Sequence, residues 1–142
     1  MGFTLIEVLL VIMIIGMLAT VLVVTIGGRR ESAQINTTKL TVDKIAGKIE
    51  EYNIDVGHYP TESEGNLEAL RVKPSDEKVG EKWHGPYVKS RELLDSWNNK
   101  LNYEPTAATE GHTSVKFKLC SNGPDQQSNT ADDITNYKQE KK

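Results

Sequence analysis

The chain contains one cysteine, Cys120, among its 142 residues. A single thiol excludes an intramolecular disulfide and a zinc site that needs several thiolates, and we predict that Cys120 is a small buried side chain. Basic residues are also few, since 17 Lys and Arg stand against 20 Asp and Glu, a net charge of -3. Because no basic stripe is available to neutralise phosphates, the composition argues against nucleic-acid binding.

Catalytic patterns are missing as well. The three histidines, His58, His84 and His112, have no Ser or Cys nucleophile at motif spacing and form no metal-binding pair. The sequence has no glycine-rich loop of the kind that cradles phosphates. We therefore predict that the protein is not an enzyme and that the histidines occupy surface or packing positions.

Charge is absent from one long segment near the N-terminus. Residues 8–26 are 19 consecutive residues without a charged side chain, long enough as a helix to cross most of a bilayer. No basic residue precedes this run and no small-residue cleavage pattern follows it, so a retained membrane helix fits better than a secretory signal. The polar remainder has no disulfide, and we expect metal binding or assembly to constrain it.

Glu7 is the one charged side chain within residues 3–28. A carboxylate costs roughly 2.5–3.5 kcal/mol at the centre of a bilayer and less near its interface. Glu7 can lie at the interface, where the dipole of a helix N-terminus favours negative charge. It can also await a positive partner from another chain.

The polar part of the chain begins with an amphipathic pattern. Apolar residues recur at helical spacing with charged residues between them, which predicts one helix to about Ile54 with Gly57 as its stop. Thr61 and Glu64 have the spacing of a capping box. They predict a short second helix after a turn at Pro60.

The C-terminal half favours a small antiparallel sheet. We predict an irregular loop over residues 73–91, a short strand over residues 100–103 and a second strand over residues 114–120, where apolar and polar side chains alternate. The two strands would pair through the connection at residues 105–112. A helix covered by such a sheet belongs to the α+β class, with three aromatic side chains expected in its core: Trp83, Tyr87 and Trp97.

Three carboxylates lie close together near the C-terminus, in a turn-rich loop without Lys or Arg. They are Asp125, Asp132 and Asp133. Neighbouring carboxylates repel one another, so a bound cation would stabilise them. The spacing of an EF-hand is absent, and a solvated acidic loop without a ligand is the alternative interpretation.

The N-terminus, Gly2-Phe3-Thr4-Leu5-Ile6-Glu7-Val8, resembles the cleavage signature of type IV pilins and pseudopilins. The resemblance implies that a prepilin peptidase cleaves between Gly2 and Phe3 and methylates Phe3. Glu7 would then pair with the Phe3 amine of a neighbouring subunit, in a low-dielectric setting that strengthens the attraction. Leaders of this family usually carry Lys or Arg, so we expect a leader longer than residues 1–2.

The rest of the chain is similar to the major pseudopilins of type II secretion systems. The matching segments are Tyr52-x-x-Asp55-x-Gly57-x-Tyr59-Pro60-Thr61, Gly65-x-Leu67-x-Ala69-Leu70, Trp83-x-Gly85-Pro86-Tyr87 and Leu94-Asp95-x-Trp97-x-Asn99. The resemblance implies a type IV pilin-like α+β fold, in which a long N-terminal helix packs on a small antiparallel sheet. It also implies a cleaved leader remnant at residues 1–2, a transmembrane and filament-core helix at residues 3–28, and a periplasmic domain at residues 29–142.

The acidic loop resembles the calcium site of these major pseudopilins, an S-x-G-x-D pattern followed seven and eight residues later by two acids. Carried over by position, the resemblance implies five calcium ligands: the carboxylates of Asp125, Asp132 and Asp133 and the backbone carbonyls of Asn122 and Thr130. Such oxygen ligands suit calcium. The glycines usual in this loop are replaced here by residues 126–129.

By this resemblance the protein is a structural subunit of the pseudopilus, a short helical filament that helps to drive folded exoproteins across the outer membrane. The implied partners are further copies of the chain, minor pseudopilins, the inner-membrane assembly platform, the prepilin peptidase, the secretion channel and the exoproteins. The chain would cross the inner membrane once. Arg29 and Arg30 oppose this orientation by the positive-inside rule. A type IV or competence pilin, or a monomeric membrane-anchored binding domain, is the alternative.

Overall fold

A computed structural model describes residues 2–106 and 116–137, without the side chains of residues 22–27. The chain divides into two compact units, Met1–Ala33 and Gln34–Lys142. Helix α1, Leu5–Val56, supplies residues to both units.

Local backbone geometry defines both ends of α1. At the start, the Thr4 carbonyl accepts from the N–H groups of Glu7 at 3.1 Å and Val8 at 3.3 Å. At the end, Gly57 takes a left-handed conformation with φ +96°, which glycine adopts without steric cost. The predicted stop at Gly57 is confirmed, and the helix runs two residues beyond the predicted end at Ile54.

In the N-terminal unit the apolar side chains of α1 are exposed on every side. All the large ones from Phe3 to Leu18 are between 49% and 88% exposed. No helix among the described residues is both long and apolar enough to cross a membrane, so the transmembrane helix stays a prediction.

In the C-terminal unit, one stripe of α1 forms the centre of the core. Its side chains recur at intervals of three and four residues and are at most 3% exposed, and they are Val42, Ile45, Ile49, Tyr52 and Val56. This spacing places them on one face of the helix. The amphipathic pattern of the sequence therefore predicted the buried face correctly.

The sheet that belongs to this core has three antiparallel strands, in the order β1-β2-β3. They are β1, Asn102–Pro105; β2, Phe117–Ser121; and β3, Ile134–Thr135. Side chains of β2 alternate between buried and more exposed positions, as the sequence predicted. The strand predicted at residues 100–103 corresponds to β1, and the strand predicted at residues 114–120 corresponds to β2. Within the described residues, the observed ends differ from the predicted ends by one or two residues. The sequence analysis did not predict β3.

The segment after α1 contains two short helices where one was predicted. They are 3-10 helices at Glu62–Glu64 and Asn66–Leu70. The capping interaction at Thr61 is present, since its N–H donates to Glu64 Oε2 at 2.8 Å. Gly65, with φ +90°, separates the two helices.

The expectation of an irregular loop over residues 73–91 is wrong in part. Helix α2, Glu77–Lys82, lies within it. Asp76 caps this helix, because its Oδ1 accepts from the N–H groups of Lys78 at 2.9 Å and Val79 at 3.2 Å. A third 3-10 helix, Ser90–Leu93, begins where the predicted loop ends.

The three predicted core aromatics are buried to different degrees. Tyr87 is buried, whereas Trp83 and Trp97 are partly buried and pack against the core. The Trp83 indole N–H donates to the Ala69 carbonyl at 2.8 Å, which satisfies its polar end. Burial raises the pKa of Tyr87 to about 12, and its hydroxyl donates to Asp55 Oδ2 at 2.8 Å.

Replacing Ile49 by Ala tests the core. Ile49 is fully buried, so we expect the free energy of unfolding of the full chain in detergent to fall by about 2–5 kcal/mol. Ile54→Ala is the matched control, because Ile54 is 79% exposed on the same helix and its loss should change stability by less than about 0.5 kcal/mol. Equal effects in urea denaturation would contradict this placement of the core.

Candidate functional site

The N-terminal residues precede the first helix. Gly2, Phe3 and Thr4 are non-helical and exposed, and the Phe3 side chain is 88% exposed. The bond between Gly2 and Phe3 therefore lies in exposed chain outside α1.

Glu7 lies in the first turn of α1 and interacts with Thr4. Its Oε2 accepts from the Thr4 N–H and the Thr4 hydroxyl, each at 3.4 Å. This arrangement resembles a capping box, and the T-x-x-E spacing was the signal for it in the sequence. Because both hydrogen bonds are long and exposed, they leave the carboxylate able to accept further donors.

The acidic loop connects two paired strands. It runs over residues 122–133, and its ends are held together because Ser121 on β2 pairs with Ile134 on β3. Gly123 adopts φ +65°, and any Cβ at that position would overlap the Asp132 carbonyl. The two ends of the loop therefore approach each other closely at a point where only glycine fits.

Each predicted carboxylate ligand accepts a hydrogen bond from a backbone N–H within the loop. Asp125 Oδ1 accepts from Gln127 at 2.8 Å, and Asp133 Oδ2 accepts from Asn129 at 2.8 Å. Asp132 Oδ2 accepts from the Asp125 N–H at 3.3 Å. The nearby Thr130 side chain and the Asp125 N–H hold the pKa of Asp132 below its ordinary value.

At the centre of the loop, three acceptor oxygens surround one hydroxyl group. The Thr130 hydroxyl lies 3.1 Å from the Gln127 carbonyl, 3.2 Å from Asp133 Oδ1 and 3.4 Å from Asp125 Oδ1. A hydroxyl has one proton to donate, so it satisfies at most one of these three oxygens, and Asp125 Oδ1 has a second donor in the Gln127 N–H. The surplus of carboxylate and carbonyl oxygens fits a hard cation such as calcium.

The remaining predicted ligands are the carbonyls of Asn122 and Thr130. The Thr130 carbonyl accepts weakly from the Asp133 N–H at 3.5 Å. The Asn122 side chain, which was not a predicted ligand, accepts from Asn102 Nδ2 at 2.6 Å and ties the loop to β1. No group of three His, Cys, Asp or Glu side chains is positioned for a metal in the described ranges, so the calcium assignment stays a prediction.

The residues that replace the usual glycines adopt unusual conformations. Gln126 has φ +59° and Asn129 has φ +66°. Asparagine tolerates this left-handed region, whereas for glutamine it costs about 1–2 kcal/mol. The loop therefore keeps a glycine-like backbone despite its polar sequence.

Two of the histidines contact carboxylates. His58 Nε2 lies 3.4 Å from Glu64, and His84 Nδ1 lies 3.7 Å from Asp55. Both side chains are substantially exposed; His112 lies outside the described residues. Cys120 was predicted to be a small buried side chain, but it is only half-buried. This partial burial raises the pKa of its thiol.

The fold defines the class of protein. It is similar to the crystal structure of the major pseudopilin from the type 2 secretion system of enterohaemorrhagic Escherichia coli, with a TM-score of 0.59 and 24% sequence identity. The similarity covers 77% of this chain and 90% of that one. The predicted α+β, pilin-like architecture is thus confirmed.

The sequence comparisons specify the family. Residues 25–137 match the family described as type II secretion system (T2SS), protein G. The type II secretion system core protein G of Escherichia coli K12 is 32% identical over 99% of this chain and 93% of its own length. The type II secretion system core protein G of Vibrio cholerae is also 32% identical, over 96% of this chain and 90% of its own length. The chain belongs to the type II secretion system protein G family, the major pseudopilins, which are structural subunits of the pseudopilus.

Replacing Gly123 by Ala tests the close approach within the loop. We expect a loss of at least about 1–2 kcal/mol in unfolding free energy, because Ala is strained at positive φ and its Cβ meets the Asp132 carbonyl. Gly47→Ala is the control. Gly47 lies within α1 and has open space around it, so Ala should raise stability there by about 0.5–1 kcal/mol. Thermal unfolding of both variants should show shifts of opposite sign.

Proposed function

We propose that the chain polymerises into the pseudopilus through the N-terminal part of α1. The supporting observation is that all the large apolar side chains from Phe3 to Leu18 are at least 49% exposed, on every side of the helix. A helix that is apolar all round is stable only when lipid or protein covers it. Lipid covers it in the subunit before assembly, and other copies of the same helix cover it in the filament.

In this proposal the subunit lies in the inner membrane before assembly, with residues 29–142 in the periplasm. The charge-free run at residues 8–26 is the membrane span. Assembly withdraws that span from lipid into a shared apolar core. A contact between different surfaces of identical subunits, repeated without closure, produces a helical polymer.

Processing and assembly both use the first residues of the chain. The prepilin peptidase cleaves between Gly2 and Phe3 and methylates the new amine of Phe3. That amine then pairs with Glu7 of a neighbouring subunit and sets the axial register of the filament. The exposed carboxylate of Glu7, with its long bonds to Thr4, supports this role, because a stronger donor from another chain can replace them.

The partners of the subunit are other components of the secretion system. Minor pseudopilins join the same filament, an inner-membrane platform assembles it, and the filament moves folded exoproteins toward the outer-membrane channel. The role of this chain is structural rather than catalytic.

Calcium stabilises the acidic loop of the periplasmic domain. Asp125, Asp132 and Asp133 supply carboxylate oxygens, and Asn122 and Thr130 supply backbone carbonyls. The surplus of oxygens around the Thr130 hydroxyl supports this assignment. A ligand that binds only the folded loop adds about 2.7 kcal/mol of stability at a hundredfold excess over its dissociation constant.

Replacing Glu7 by Ala tests the assembly role. We expect normal recovery in the membrane fraction but few filaments by electron microscopy, because loss of one partner of a buried ion pair costs about 3–5 kcal/mol at each contact. Glu31→Ala is the control, since Glu31 is an exposed carboxylate further along α1. A normal filament count for Glu7→Ala would refute the pairing.

Replacing Asp133 by Ala tests the calcium site. The melting temperature of the parent should rise by about 10 °C when calcium replaces chelator, and the variant should lose this rise. Asp43→Ala, which removes an exposed carboxylate from α1, should retain it. If the parent melts at the same temperature in calcium and in chelator, the loop does not bind the ion.

A further inference from the structure

A buried carboxylate lies outside the acidic loop, at Asp95. Its residue is 7% exposed. Oδ1 accepts from the N–H groups of Trp97 at 2.9 Å and Asn99 at 2.8 Å. Because a buried carboxylate is stable only when its oxygens are hydrogen-bonded, these bonds fix the turn that follows Asp95.

The second oxygen of Asp95 contacts the start of the acidic loop. Oδ2 accepts from the Ser121 hydroxyl at 2.7 Å. Ser121 is fully buried, and its Oγ also accepts from the Gly123 N–H at 3.3 Å. Gly123 in turn lies against the Asp132 carbonyl. We call the hydrogen bonds that join Asp95, Ser121 and Gly123 the Asp95–Ser121 link.

The same turn is bound to helix α1 on its other side. Thr38 is fully buried, and its hydroxyl donates to Ser96 Oγ at 2.9 Å and accepts from the Ser96 N–H at 3.2 Å. Gln34 Nε2 donates to the Ser96 carbonyl at 3.3 Å. The turn at Asp95 and Ser96 therefore connects the first part of α1 in the C-terminal unit with the acidic loop.

We propose that Asp95 is a positioning residue for calcium, which acts through Ser121 on the acidic loop. The proposal rests on the calcium binding proposed above. The Asp95–Ser121 link fixes the first turn of the loop. In this turn Gly123 lies against the Asp132 carbonyl, and Asn122 carries a carbonyl that is a proposed calcium ligand. Calcium must engage several oxygens at once, so a loop held in place before binding loses less entropy when the ion arrives.

The link also has a consequence for α1. An ion that orders residues 122–133 restrains Ser121 and, through Asp95, the turn that holds Thr38. Binding of calcium should therefore slow local opening of this turn. The acidic loop and α1 are coupled by hydrogen bonds that are all present in one compact unit.

Ser121→Ala is the direct test, because it removes the hydroxyl and leaves the buried Asp95 Oδ2 without that donor. With Ca²⁺ as the probe, isothermal titration of the full chain in detergent should show binding about tenfold weaker than in the parent. Ser128→Ala is the matched control. Ser128 is an exposed serine of the same loop that donates to the Asn122 side chain at 3.2 Å, and its loss should change the dissociation constant by less than about twofold.

Hydrogen exchange provides a second test. If Ser121 only stabilised the fold, its replacement would not abolish the effect of calcium on amide protection. In the parent, calcium should increase protection of the peptide that covers residues 94–99, and in Ser121→Ala it should not. If Ser121→Ala does not fold, Ser121→Cys replaces it, since a thiol has nearly the same volume but donates weakly.

The outcomes separate the two proposals. If the parent does not bind Ca²⁺, the calcium site is wrong and the positioning role of Asp95 fails with it. If the parent binds and Ser121→Ala binds equally well, calcium remains but the Asp95–Ser121 link does not position the loop. A lower melting temperature in chelator with an unchanged dissociation constant would also overturn the link.

Discussion

The apolar surface at the start of α1 cannot remain in water, and most properties of this protein depend on that constraint. Large apolar side chains from Phe3 to Leu18 are exposed around the whole helix, so the isolated chain is not a complete structure. Both covers proposed for them, lipid and neighbouring helices, are apolar. Transfer from one to the other therefore involves little change in hydrophobic free energy. In the proposed filament, the axial position of each subunit would depend on polar contacts such as that of Glu7.

The C-terminal unit needs stabilising contacts beyond apolar packing, because its core is small and its sequence is polar. A single stripe of α1 from Val42 to Val56 supplies the centre of the core. Buried hydrogen bonds supplement it: Trp83 donates to the Ala69 carbonyl, Tyr87 to Asp55, and Ser121 to Asp95. These bonds attach short irregular segments that have too few apolar residues to hold themselves in place.

Local patterns in the sequence predicted the elements that they specify. The stop at Gly57, the capping interaction of Thr61 and Glu64 and the buried stripe of α1 all follow from the identity and spacing of nearby residues. Helix α2 was missed because its six residues include one buried residue, Gly80, and so show no apolar periodicity. Strand β3 has two residues, too few for an alternating pattern.

The candidate site was predictable in chemistry but not in geometry. The three aspartates of the loop are visible in the sequence, and their family pattern suggested calcium. The oxygens around the Thr130 hydroxyl come together in a loop where Gln126 and Asn129 have positive φ, a backbone conformation that these residue types do not specify. Asp95 and Ser121 are 26 residues apart, and no local pattern joins them.

The outer strands of the sheet have a consequence for self-association. Strand β1 ends at Pro105, whose nitrogen has no hydrogen to donate, and carries the exposed charge of Glu104; β3 extends over Ile134–Thr135 alone. Such borders are poor templates for recruiting a foreign strand. Crowded subunits are thereby protected from amyloid-like stacking of the described strands, which is compatible with the proposed association through the helix.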